Sequence, residues 1–525
     1  MHSVSAWAPL RRPMYRALWL SNSISQVGTW MQIVGAQWLM GSLAGTSLEV
    51  ALVQTATTLP YFLVALPAGA IGDILDRRKV LIAAQVYMSA GAAVLVLLTL
   101  TGEIEPWSLL ALIFWIGLGQ GLMGPSWQAV QPELVPRSEI REAAVLGGMS
   151  VNLARAVGPA LGGAVVAALG AAWTFAFNAA SFFALLAALV VWKRPAPDPA
   201  RLAEPFHGAL RAGARYFRSA RRLRSIVARS LIFGLAGSGL WALLPILARD
   251  QLRLGSAGYG LLLAAVGVGA VLSAAILPRF RAHVAPGRIV AYASTTLGVS
   301  CVVAAWVSVI PLVAAALVVA GASWIGAISS MTGAAQTVLP SWVRSRGMAV
   351  YLMSVLGSQA LGAAIWGSVA QAWGVTTAFT VMAAALAAGV IVGLRWPIET
   401  AISLDLSPPP PPPVPVWATF PGAASVPVRV ETTYRVPEAA AMTFALEMQR
   451  VGLLRRRTGA VTWALYRDGI DPERFVEVYD VRSWDEHVRQ RTERQTISGQ
   501  DVVQGALRLT VDGVAPETRY LFGPR

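Results

Sequence analysis

The chain has 525 residues, of which 55% are hydrophobic and 13% charged, with a formal net charge of +15. An ordinary soluble domain is about a quarter charged, so a purely water-soluble protein is excluded, and the long charge-free runs fit membrane spans of about 20 residues. A lone cysteine, Cys301, excludes an intramolecular disulfide, and the excess cations sit in loops between apolar runs, which points to topology rather than nucleic-acid binding.

The start, "MHSVSAWAPLRRPMYR", is polar and basic and does not read as a cleavable signal peptide. Apolar runs then predict spans at 17–41, 48–72, 80–101, 107–130, 143–168 and 173–192. After a basic stretch they resume at 227–248, 258–278, 289–308, 312–336, 348–371 and 376–396. Cations cluster in every second loop: Arg11, Arg12 and Arg16 before span one, Arg77, Arg78 and Lys79 after span two, Arg137 and Arg141 after span four. The same holds for the central loop, for Arg279, Arg281 and Arg288, and for Arg344 and Arg346. Loop bias sets orientation, so these loops and both termini are expected in the cytoplasm of a multi-pass inner-membrane protein.

Beyond span twelve, "SPPPPPPVPV" reads as a stiff polyproline spacer. The tail that follows alternates as a strand in "VPVRVETTYRV", has helical spacing in "PEAAAMTFALEMQRVGLL", and alternates again in "TGAVTWALYRD" and "RFVEVYDV". "SWDEHVRQRTERQ" predicts a helix with Ser483 as N-cap and Glu486 completing a capping box, and a last strand is expected near "VVQGALRLTV". The predicted fold is therefore an all-α membrane protein with a small α+β addition. Two six-helix halves, 1–192 and 227–396, flank a central loop at 193–226. A proline-rich linker at 397–416 leads to a ferredoxin-like α+β domain at 417–525.

The halves echo one another. Gln128, Pro132 and Val135 match Gln336, Pro340 and Val343; Gly158, Gly163 and Gly170 fall on Gly362, Gly367 and Gly374; Arg155 falls on Gln359. Repeated six-helix halves are the mark of secondary transporters, whose site lies near the midplane between the halves.

Several residues are candidates for that work. Arg155 lies about 20 Å from either end of span five by helix rise, where a charge normally faces a cavity or a partner. Two readings stay open: an anchor for an anionic or phenolate-bearing solute, or a buried pair with Glu133 or Asn152, the latter one turn away. In span one Asn22, Ser25, Gln26, Thr29 and Gln32 make a polar stripe that either lines the cavity or bonds helices together. Gln359 joins the binding set as the counterpart of Arg155, and Trp241, Trp127 and Trp324 are candidates for an aromatic wall. No Asp or Glu falls in the middle of a span, so Glu133, near a helix end, is the coupling candidate. No P-loop spacing appears, and the four histidines are far apart, so neither nucleotide, cofactor nor metal is expected.

"GAIGDILDRRKVLI", with Gly69, Asp73, Asp76, Arg77 and Arg78 between spans two and three, resembles the signature loop of the major facilitator superfamily. There a Gly, an acid and a basic cluster latch neighbouring helix ends. Ile74 and Asp76 depart from the usual basic and glycine positions. "NLARAVGPALGG" resembles the antiporter motif of the same superfamily through Gly158, Pro159, Gly162 and Gly163, where a bend and close helix contact are expected. The longer run 125–163, with "WLSNSISQVGTWMQIVGAQWLM" and "ALLPILARDQLRLGSAGYGLLLA", resembles the transmembrane secretion effectors over about residues 14–396. The resemblance implies twelve helices, alternating access and export of a small amphipathic or anionic metabolite, siderophore- or drug-like, with the lipid bilayer as the other partner. In the tail, Trp463, Trp484 and His487 resemble the antibiotic-biosynthesis-monooxygenase type of ferredoxin-like domain, which pairs into a dimeric barrel. That implies a homodimer through the tail. The oxygenating members often use an Asn, and 417–525 contains none. His487 is accordingly expected on a helix surface and the tail in a dimerising or regulatory role. A membrane-anchored oxygenase and a transporter-like sensor are the alternatives.

Overall fold

A computed structural model describes residues 7–43, 46–192, 216–218, 220–340, 342–396, 398, 426–492, 494–511 and 514–523. The proline-rich linker and most of the central loop lie outside these residues. The first six helices are α1 (Pro13–Leu43), α2 (Ser47–Ile74), α3 (Arg77–Thr101), α4 (Pro106–Val130), α5 (Ile140–Leu169) and α6 (Ala171–Val191). Span seven begins at 221, inside the stretch expected to be loop, and comes in two pieces, α7 (Arg221–Gly237) and α8 (Gly239–Ile246), continued by a π turn at Leu247–Gln251. Then follow α9 (Ser256–Arg281), α10 (Pro286–Trp306), α11 (Ile310–Val338), α12 (Arg344–Trp373) and α13 (Val375–Arg395).

Among the described residues, ten helical rods are long and apolar enough to cross a membrane, counting Arg221–Gln251 as one. The other two, α1 and α2, have the length, 31 and 28 residues. In α1 the Ser, Asn, Gln and Thr of the polar stripe dilute the apolar content. Large apolar side chains such as Leu97, Val191, Leu361 and Leu394 point outward and exposed, as they do where lipid rather than water is the solvent.

The two halves repeat in detail. Gly170, between α5 and α6, has φ +91°, and its counterpart Gly374, between α12 and α13, has φ +83°. Both turns need the left-handed region that only glycine enters without strain. The close helix contacts repeat as well. A Cβ on Gly158 would stand 2.6 Å from Trp30 Cβ in α1, and one on Gly362 would stand 2.5 Å from Leu235 O in α7. A Cβ on Gly163 would stand 2.6 Å from Ser256 O and 2.8 Å from Gly260 Cα in α9; one on Gly367 would stand 2.5 Å from Ala51 Cβ in α2. Span five thus packs on spans one and eight, and span eleven on spans seven and two, by the same rule of small residues at close crossings.

The tail is a four-stranded antiparallel sheet, order β2-β3-β1-β4, built from β1 (Val428–Arg435), β2 (Thr462–Arg467), β3 (Arg474–Val481) and β4 (Glu517–Phe522). Helices α14 (Ala441–Thr458), α15 (Trp484–Thr492) and α16 (Ile497–Leu507) cover it. The order is the ferredoxin-like one that the sequence predicts, but the last strand is not where it was expected. "VVQGAL" completes α16, whose N-cap Thr496 accepts from Gly499 N, and the strand follows at 517–522. Ser483 Oγ accepts from Glu486 N at 3.2 Å, which is half of the expected box. The Glu486 carboxylate accepts from Arg494, at 2.7 and 3.0 Å.

By contacts the chain forms two units. One holds Met1–Ala203, Ile226–Gly333 and Ala349–Ile398; the other holds Glu204–Ser225, Ala334–Met348 and Glu399–Arg525. The second unit therefore includes short segments from the ends of α7, α11 and α12 along with the sheet domain.

Candidate functional site

Arg155 sits near the middle of the 30-residue α5 and is half-buried. Its guanidinium carbon lies 5.8 Å from the ring centroid of Trp30 in α1. That ring starts a ladder. Trp30 and Trp241 are 6.1 Å apart at 44°, Trp241 and Trp324 5.9 Å apart at 76°, and Trp324 and Phe233 5.3 Å apart. Trp30 belongs to the first half, Trp241, Trp324 and Phe233 to α8, α11 and α7 of the second. A cation over an indole face is favourable by about 0.5–2 kcal/mol, more when desolvated. The Nε1 of Trp241 is buried and meets no acceptor among the described residues. The arrangement offers a cation, ring faces and a spare N–H donor in one run of contacts between the halves, which is chemistry for an anion carrying an apolar or aromatic body.

The structure separates the two readings of Arg155. Glu133 lies in the turn after α4 and pairs with Arg77, Nη1 to Oε1 at 2.7 Å. No ion pair reaches Arg155 among the described residues, and Asn152 is half-buried with no bond to it. The buried-pair reading with Glu133 is thereby corrected: a carboxylate near the helix end is within reach of the loop cation, not of one four turns along another helix.

The α1 stripe divides. Gln32 is buried and accepts from Asn178 Nδ2 of α6 at 2.6 Å, so it bonds helices together rather than lining a cavity. Gln120 Nε2 donates to Thr29 Oγ1 at 3.3 Å and Gln120 accepts from Tyr61 OH at 2.7 Å, linking α1, α4 and α2. Asn22 and Ser25 are buried, Gln26 half-buried. Gln359 is half-buried and, among the described residues, bonds only along its own helix, Nε2 to Val355 O at 3.4 Å. Trp127 is not part of the ladder. It packs in a separate core with Leu18, Leu81 and Val130, and Trp30, which the sequence did not single out, takes the third place.

The face that carries the α2–α3 turn holds the arginines. Asp76 caps α3, accepting from Arg78 N at 2.8 Å and Lys79 N at 3.3 Å. Arg78 reaches the end of α6, donating to Leu189 O at 3.1 Å and Val190 O at 2.6 Å. A cation on free carbonyls at a helix C-terminus satisfies both the orphan acceptors and the macrodipole. The α2–α3 cluster thus ties α3 to α6 and, through Arg77, to the turn after α4. Gly69 and Asp73 fall in the last turns of α2, and their side chains lie outside the described residues. On the same face Arg12 grips Glu139 at 3.0 and 3.1 Å, and hydrogen bonding to Arg12 lowers the Glu139 carboxyl below its usual range. Tyr15 OH and Trp19 Nε1 donate to Ala143 O and Leu146 O, fastening α1 to α5.

At the opposite face the halves meet. Gln37 of α1 donates to Trp241 O at 3.1 Å and accepts from Tyr259 OH, and Arg249 donates to Gly41 O. Thr55 of α2 donates to Ala360 O of α12 at 2.9 Å. Deeper, a Cβ on Gly267 of α9 would stand 2.7 Å from Arg155 O, so the α5–α9 contact runs from that face to the level of the ladder.

In the tail, Glu477 of β3 is fully buried and accepts from Tyr434 OH at 2.8 Å, Trp463 Nε1 at 3.0 Å and Arg455 Nε at 3.1 Å. Desolvation pushes its carboxyl up, but the attraction of Arg455 and these hydrogen bonds prevail and hold it below the usual range. His487 is buried, not on the helix surface as expected. Rings of Trp484, Tyr520 and Tyr479 stand 5.4, 5.3 and 6.3 Å away. Neither ring nitrogen meets a well-formed hydrogen-bond partner among the described residues, and desolvation, with nearby Arg491 and Arg455, outweighs the neighbouring Gln490 amide and lowers its pKa to about 4.

The sequence profile of the transmembrane secretion effectors matches residues 4–523, helices and tail alike. The enterobactin exporter EntS of Salmonella typhimurium is 28% identical over 399 residues, covering 73% of this chain and 91% of its own. Its Escherichia coli O1:K1 counterpart is 26% identical over 387 residues, covering 73% and 90%. Among solved structures, a POT family transporter in complex with a thioalcohol-conjugated peptide has a TM-score of 0.60 at 14% identity, covering 72% of this chain and 95% of that one. A bacterial homologue of the human lysosomal transporter Spinster has a TM-score of 0.55 at 15% identity, covering 74% and 95%. With the two repeated six-helix halves and these likenesses in place, the fold is that of a major facilitator transporter, and the chain belongs to the transmembrane secretion effector family.

Proposed function

We propose that this chain is a secondary active exporter of the inner membrane that carries a small amphipathic anion of siderophore-like character by alternating access. The observation that carries the reading is Arg155 over Trp30 at the head of an aromatic ladder that crosses from one half to the other at mid-helix depth. The enterobactin export of the relatives supports the substrate class. The arginine-rich face is read as cytoplasmic from its loop cations. The contacts between the halves at the other face then correspond to a state closed to the outside. Arg155 accepts the anion, the rings take its apolar body, and rocking of one half on the other about the α5–α9 and α2–α12 contacts passes it outward. Asp76, Arg77 and Arg78, with Gly69 and Asp73, serve as the cytoplasmic latch, and Glu133, tied to Arg77, couples that latch to the state of the cell interior.

We read the tail as regulatory rather than catalytic: its one histidine is walled in by three rings, and Glu477 is occupied by three donors. Pairing of two copies through the tail belongs to the same reading. Everted membrane vesicles from an overexpressing strain test the proposal. Supplied with a cell extract, they accumulate an organic anion that is lost on adding an uncoupler and unaffected by ATP depletion; no anion accumulated above empty-vector vesicles would reject it.

A further inference from the structure

We propose that the second unit contains a separate anion-binding site, formed between the tail helices and Tyr216, Ala220–Leu223, Val338, Pro340 and Trp342, for a small anion with an apolar or aromatic arm. A cavity of about 360 Å³ lies there, within the usual range for small-molecule sites. Arg221, Arg222, Arg457 and Arg494 line it, with the rings of Tyr216 and Trp342, and among the described residues no carboxylate does. The two rings meet edge to face at 5.8 Å and 87°, and Tyr216 OH donates to Val338 O at 3.0 Å. Each ring is covered by a tail arginine: Arg457 stands 5.9 Å from the Tyr216 centroid and Arg494 5.2 Å from that of Trp342. Arg494 is held in place by Glu486 and by Thr458 O at 2.8 Å.

Two donors in this wall are unspent. Arg457 Nε and Trp342 Nε1 are both buried and meet no acceptor among the described residues. A buried donor without a partner destabilises the fold, and here two of them lie in a cavity lined by four arginines. An anionic oxygen answers all of these at once, while the aromatic rings suit an attached apolar arm. Arg494 is partly neutralised by Glu486, so the field falls mainly to Arg457 and Arg221. Because one wall comes from the tail and the other from the ends of α7 and α11, occupancy would fasten the tail to the loop between spans ten and eleven. The site shares no residue with the Arg155 ladder, so its test does not depend on transport.

A dissolved organic anion and an anionic lipid headgroup share this chemistry, and the experiment separates them. Full-length protein is placed in nanodiscs of purely zwitterionic lipid, and Trp fluorescence and thermal unfolding are followed against salicylate and inorganic phosphate. A parallel sample uses nanodiscs containing phosphatidylglycerol. Saturable stabilisation by salicylate in zwitterionic discs, weakened at least tenfold in Arg457→Gln and with its fluorescence change lost in Trp342→Phe, supports the site with a soluble ligand. Stabilisation seen only with phosphatidylglycerol, and lost in the same variants, supports it with a lipid ligand. Equal responses in wild type and both variants, or no response to any probe, would overturn it. Arg221→Gln, at the exposed rim, provides a second test should Arg457→Gln fail to fold, and unchanged affinity there is equally contrary.

Discussion

At the scale of single residues, Arg155 and His487 carry the most. Arg155 has an aromatic partner and, among the described residues, no carboxylate partner, so Arg155→Gln strands no buried acid there. We expect it to weaken binding of an anionic substrate about ten- to a hundredfold, the worth of a charged hydrogen bond, with the unfolding temperature nearly unchanged. Parallel ligand binding and thermal shift check this; a large loss of stability with unaltered affinity would count against the site. His487 has its folded pKa depressed to about 4, against an ordinary value near 6.5. The unfolded chain therefore binds the proton more readily between those values, and tail stability falls as pH drops from 6.5 toward 4, by about 3 kcal/mol in total. Amide exchange across 484–492 in the full-length protein, corrected for intrinsic rates, should rise over that window and rise less in His487→Leu. Part of this was legible: "RFVEVYDV" puts Glu477 on the same strand face as Phe475 and Tyr479, a carboxylate on an apolar face in want of a partner. Trp30 was not, because nothing in its neighbourhood in sequence distinguishes a ladder indole from a lipid-facing one.

At the scale of elements, the glycine contacts are the most specific feature. Gly163 brings α5 so near α9 that a Cβ meets backbone atoms at 2.6 and 2.8 Å, which cannot swing aside as a side chain end would. Gly163→Ala should therefore impair export in correctly inserted protein. Gly148→Ala in the same helix, where nothing lies within 4 Å, should be tolerated or mildly favourable. Equal activity of the two would sink the role given to the α5–α9 contact. For the latch, Arg78→Gln should loosen the hold on the end of α6, read as faster exchange of the amides around Leu189 and Val190 together with slower export. The spans and their repeat were visible beforehand because hydropathy and glycine spacing are local signals. The last strand was misplaced for the same reason: "VVQGALRLTV" is β-branched and apolar locally, while the Thr496 cap and the packing of α16 on the sheet decide for helix.

At the scale of the whole molecule, two symmetric halves enclose a site that is not symmetric. Arg155 stands in one half where Gln359 stands in the other, and the ladder has one rung in the first half and three in the second. In the proposed reading the repeat supplies the rocking frame and its departures supply the substrate chemistry, which is why the frame was readable from periodicity and the site only in outline. The division into units was not readable at all: that residues 204–225 and 334–348 group with the tail depends on contacts far apart in sequence. The central claim is that this frame exports an organic anion held by Arg155. It is tested most directly by profiling metabolites in cells and medium, separately, for a deletion strain complemented with wild type, with Arg155→Gln or with empty vector. The account predicts an anionic, apolar-bodied metabolite that moves from cells to medium with wild type and stays in the cells with the other two. Identical profiles in all three strains, or full export by Arg155→Gln, would contradict it.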